Sequence, residues 1–144
     1  MSKVKSFSAK SSLVGVVLSA AALIGFTVYG MVYDYFDTVV FLTLALGMVG
    51  MAAYALVDRA WSELLNLAAV ACITFGMGLF FLNSYPVWAD RLNNISMYGS
   101  RGTLLPVITL LVLMVAAIVG GIVSCFTQKE GKAKGKTILR PARR

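Results

Sequence analysis

Two thiols, Cys72 and Cys125, and no histidine are what this 144-residue chain offers for chemistry at first sight. Cys72 falls in the middle of one apolar run and Cys125 near the end of another, at depths ~10 Å apart by the helix rise. A disulfide needs Cα atoms within ~7 Å, so the two read as small packing residues and not as a bridge. Cys125 also sits where juxtamembrane cysteines accept a lipid chain. The sequence has no CxxC pair, no Gly-rich phosphate loop followed by Lys, and no Ser/His/Asp constellation. No Asp, Glu, Lys or Arg interrupts any of its four long apolar runs. Proton-coupled carriers and intramembrane metal enzymes keep an ionisable group within the bilayer, because the coupling ion must bind something. The expectation is a chain that is not an enzyme and holds no metal and no cofactor.

Within the runs, polarity comes down to Ser19, Thr27, Thr43, Asn66, Thr74, Thr109 and a few residues at their ends. Asn66 is the costliest to leave unpaired, and it is placed to bond a neighbouring helix. Uncharged pores use hydroxyls and amides, so Thr27, Asn66, Thr74 and Thr109 define an alternative function, a path through a homo-oligomeric channel or facilitator.

The elements that must carry these groups follow from hydropathy. With 59% hydrophobic and 13% charged residues, the chain is too apolar for a soluble domain of its size. The uncharged runs cover residues 13–33, 38–57, 64–83 and 104–126. At ~1.5 Å per residue each crosses a ~30 Å hydrocarbon core. Only a helix satisfies its own backbone in lipid, so the reading is all-α, with four transmembrane helices. The first run is too long for the core of a secretory signal and is read as an uncleaved span.

Outside the spans lie a basic segment at 1–12, an outer loop at 84–103 and a basic tail at 127–144. The net charge of +7 divides into +8 on the side of both ends and −1 on the other. Lys and Arg are retained on the cytoplasmic side, so both termini are expected there, in a plasma membrane. Tail residues Lys129, Lys132, Lys134 and Lys136 would meet anionic lipid, where each basic residue contributes ~1 kcal/mol. The tail is interleaved with glycine and has no periodicity, so it is expected not to fold alone and, lacking interleaved aromatics, to bind no nucleic acid.

Helices in lipid associate through close approach of small residues. Rows at intervals of four nominate Gly15 and Ser19 in the first span, Ala68, Cys72 and Gly76 in the third, and Ala116, Gly120 and Ser124 in the fourth. In the outer loop, Pro86 suits a helix start. A helical wheel over the residues that follow gathers Val87, Trp88, Leu92, Ile95 and Tyr98 on one arc, with Asp90, Asn93, Asn94 and Ser96 opposite. Such an amphipathic segment either rides in the headgroup layer or docks on a protein through Trp88, Arg91, Leu92 and Ile95. Asn94, Ile95 and Ser96 also spell an N-glycosylation acceptor.

The short basic start, four spans, long outer loop with its Asn94-Ile95-Ser96 element, and a last span closing on Ile118, Val119, Gly120 and Gly121 resemble small four-span membrane proteins of Gram-positive bacteria. Members of that group are often encoded beside ABC transport systems. The resemblance implies association with a transporter and assigns no functional residues. Together these features lead to the expectation of a non-enzymatic accessory subunit of a larger membrane assembly, in contact with lipid and with a larger partner or further copies of itself.

Overall fold

A computed structural model describes residues 2–57, 62–95 and 104–138, with side chains for 10–57, 62–95 and 104–126. Five helices make up the fold: α1 (Ser2–Val32), α2 (Thr38–Leu56), α3 (Ser62–Asn83), α4 (Tyr85–Leu92) and α5 (Leu104–Ile138). Four of them contain segments long and apolar enough to cross a membrane, Lys10–Val32, Thr38–Leu56, Ser62–Asn83 and Leu104–Phe126. The chain is an all-α, four-span membrane protein. The spans form a square in which α1 packs on α2 and α5, and α3 packs on α2 and α5. Four spans return the chain to the side it started from, so one end of the bundle carries both chain ends and the other carries α4.

The turns have local causes. α1 stops in a Schellman arrangement, with Asp34 left-handed at φ 53° and the Tyr35 amide donating to the Gly30 carbonyl at 2.9 Å. Asp37 then caps α2, its Oδ1 accepting from the amides of Val39 at 2.8 Å and Val40 at 3.4 Å. Only Ser84 separates α3 from α4, and Pro86 supplies no amide where the new helix has no acceptor for one. α4 ends as α1 does, with Asn94 at φ 52° and the Ile95 amide donating to the Asp90 carbonyl at 3.2 Å.

Two expectations are corrected here. The helix projected beyond Pro86 breaks at Asn93 and Asn94, because the Asn94 carboxamide residue tolerates the left-handed turn that closes α4. The basic tail, read as unable to fold alone, is helical as far as Ile138, an extension of a span whose helix is already nucleated. The first basic segment is likewise part of α1 from Ser2. The loop carrying Asp58, Arg59 and Trp61, the loop carrying Ser96, Tyr98 and Arg101, and the last six residues lie outside the described residues.

Candidate functional site

At the α4 end the core is aromatic. Phe26, Tyr29 and Phe80 are buried, and Phe80 meets both Phe26 and Tyr29 edge to face, at centroid distances of 5.7 Å. The tyrosines and phenylalanines near this boundary would form an interfacial belt if they faced lipid, but Tyr29 and Phe80 turn into the bundle instead. A polar chain ties the helix ends above them. Tyr35 donates to the Asn83 carbonyl at 3.0 Å, and the Asn83 amide donates at 2.6 Å to Oδ2 of Asp37, the carboxylate that caps α2.

α4 folds over this end with Val87 and Asp90 against the bundle. The buried side takes one residue from each arc of the helical wheel, Val87 from the apolar and Asp90 from the polar. Asp90 belongs to the polar arc, and it is buried, whereas Leu92 is 84% exposed and Ile95 52%. Trp88 is half-buried, with its ring on Phe81 at 5.5 Å, and its indole nitrogen is enclosed without a hydrogen-bond partner among the described residues. Trp88 thus belongs in part to the protein interior, and the outward surface here is made by Tyr85, Arg91 and Leu92 of α4 and by Ile95 just beyond it.

At the other end the helices approach through small residues and polar contacts. A Cβ added at Gly120 would stand 3.3 Å from the Cα of Gly15, and one at Gly121 would stand 2.6 Å from Met51 Cε and from Val70 Cγ2. Asn66 is buried between α3 and α5 and donates through Nδ2 to the Gly121 carbonyl at 2.8 Å and to Cys125 Sγ at 2.9 Å. Tyr54 reaches from α2 to the Ser124 carbonyl at 3.3 Å. Ser12 and Ser62 are buried at this end as well, so every span places a polar side chain there.

Among the residues nominated for helix packing, Gly15, Ser19, Gly76 and Ser124 are buried, while Ala116 and Gly120 are half-buried. Within this chain Ala68 is exposed and Cys72 is half-buried, so neither meets α2. The α3 surface that meets α2 contains Ala69 and Ile73 in place of Ala68 and Cys72. Gly47 faces Ile73 and the Ala69 carbonyl, and Gly50 faces the Ala69 methyl. The sequence signal for this seam is the pair Gly47 and Gly50 in α2, three residues apart. Cys72 and Cys125 are both free thiols.

The four groups nominated for a path do not converge. Thr27, Thr74 and Thr109 donate to carbonyls on their own helices, those of Leu23, Val70 and Leu105. Thr74 and Thr109 are exposed on the outside of the bundle, and Asn66 is buried inside it. The backbone of Lys129, Lys132, Lys134 and Lys136 is helical within α5.

Comparison with protein-family models, with curated proteins and with solved structures finds no match to this chain.

Proposed function

We propose that this chain is a non-enzymatic accessory subunit of a larger assembly in a bacterial plasma membrane, with both termini cytoplasmic. The resemblance in layout points to an ABC-type transporter as that assembly. The observation that carries the reading is α4. It is fastened to the bundle through Val87, Asp90 and the Trp88 ring, and it offers Tyr85, Arg91, Leu92 and Ile95 outward at the end of the spans. Apolar side chains around an arginine on a held helix are what interface anchors look like.

Purification from the native host, at native expression and in mild detergent, should recover a larger membrane protein together with this chain. Recovery of this polypeptide alone would remove the proposal. For the orientation, a cysteine introduced between residues 132 and 136 should react with an impermeant reagent only after permeabilisation, and one at Asn93 should react in intact cells. The reverse pattern would overturn it.

A second reading, a homo-oligomeric channel or facilitator, draws on the outward position of Thr74 and Thr109, which would place any path between copies. Flux of ions or small neutral solutes into liposomes, above that of empty vesicles, is its requirement.

A further inference from the structure

At the end of the bundle away from α4, two helices, α1 and α5, do not stop at the membrane boundary. Beyond Phe126, where its apolar segment ends, α5 continues for twelve residues to Ile138, which is ~18 Å of helix. α1 starts eight residues before its own apolar segment, ~12 Å outside. The two run antiparallel, with Gly15 beside Gly120 and Gly121, and Gly25 beside Leu110. The same register carried outward sets residues 2–9 alongside residues 126–133.

These arms carry Lys3, Lys5, Lys129, Lys132, Lys134 and Lys136, with Lys10 at the boundary, against Glu130 as their one acidic residue. Local preference opposes helix in the α5 arm. Gly131 and Gly135 are poor helix formers, and Lys132 and Lys136 are like charges four residues apart. An anionic surface beside the arms would remove the charge repulsion.

The inner-leaflet headgroups supply only part of such a surface. The polar layer adds ~5–8 Å to each side of the hydrocarbon. Lys129, three residues past Phe126, stands at ~4.5 Å and within that layer. Lys134 and Lys136 stand at ~12 Å and ~15 Å, beyond it. Screening over ~8 Å weakens what lipid can do for them. The α5 arm, from Thr127 to Ile138, has no aromatic residue on which nucleic-acid bases would stack.

We propose that the distal part of the α5 arm, beyond the reach of the α1 arm, binds a carboxylate-rich protein surface on the cytoplasmic side, leaving Lys10 and Lys129 to the lipid. This rests on the accessory-subunit reading only for its orientation, and it concerns a contact on the opposite side of the membrane from α4.

The test uses the full-length chain in nanodiscs containing one-fifth phosphatidylserine, with a twenty-residue oligoglutamate as probe. Wild type should bind the probe, and Lys134→Gln with Lys136→Gln should weaken binding about tenfold, whereas Lys10→Gln with Lys129→Gln should change it less than twofold. A spin label at position 136 should be open to an aqueous relaxation agent in the same discs. Equal losses from the two double variants, a label shielded by lipid, or a single-stranded oligonucleotide of matched charge binding as tightly as oligoglutamate would each overturn the proposal. Because the purified chain is measured without any partner, the accessory-subunit reading can fail in co-purification while this result stands.

Discussion

The two ends of the bundle are closed by opposite means. At the α4 end, large rings fill the space between helices, and Val87 of α4 joins their core. At the end holding both termini, glycines let backbones approach, and Asn66 and Tyr54 join helices through carbonyls. The difference is that the first end tolerates some adjustment of side chains, while the second fixes the distance between helix axes. Lipid tails are as apolar as the core, so burial by itself does little to hold spans together, and the close contacts carry more of the association.

This comparison is broken most directly at the α2–α3 seam. Gly47→Val introduces atoms into the place of Ile73 and of the Ala69 carbonyl, and the backbone at that point cannot rotate away. Overpacking of this kind costs about 3 kcal/mol. SDS titration of the purified protein should show that loss, and a change under 1 kcal/mol would mean the seam is looser than the geometry indicates. Gly47 lies midway along α2, and Phe80→Ala probes the α4 end. In water a buried Phe→Ala change costs ~3–5 kcal/mol, part of it from transfer, and in lipid that part falls away, leaving about 2 kcal/mol of lost contact. A larger loss than that of Gly47→Val would reverse the contrast.

How much of this was legible in the sequence depends on the range of the interaction. The spans were, because twenty uncharged residues have one solution in lipid. The turn at Asp37 is local too, a capping carboxylate before an apolar run. The left-handed Asp34 and Asn94 were harder to see, since without glycine their signal is weak. Which side of α3 faces inward was not readable from rows of small residues, because Ala68 and Ala69 are chemically the same and differ by a turn of about 100°. Only the glycines of α2 choose between them. For α4 the wheel says nothing of which residues turn to the bundle, because burial of Asp90 beside Val87 comes from tertiary packing, which an apolar arc does not encode. The helix through Gly131 and Gly135 opposes local propensity, so composition pointed to an unfolded tail.

Smaller effects sharpen the contrast. Asn66→Ala removes a buried interhelical donor, and such bonds contribute about 1 kcal/mol in membranes, so SDS unfolding should shift by that amount. No shift would demote Asn66 from a tie between α3 and α5 to a filler. Asp37→Ala should cost a similar ~1 kcal/mol through the lost cap, and the same change frees the Asn83 amide. Asp37→Asn should recover most of the loss, since it keeps an acceptor for the Val39 amide.

The smallest effect on the protein itself is expected where the largest effect on a partner is. Leu92 and Ile95 are exposed, and neither is part of the buried core, so Leu92→Ala with Ile95→Ala should leave SDS unfolding within ~0.5 kcal/mol of wild type. Trp88→Ala is the wrong probe for docking, because its ring rests on Phe81 and its truncation would loosen α4 as well as any contact. The Leu92 and Ile95 pair separates the two roles. If α4 docks, losing two apolar anchors costs about 1.4 kcal/mol or more, and partner recovery at equal abundance should fall about tenfold. If α4 only rides in headgroups, recovery should not change, because the four spans already hold the chain in the membrane. Unchanged recovery beside an intact fold would therefore assign the outward side of α4 to lipid and move the search for the partner surface to the spans or to the basic arms.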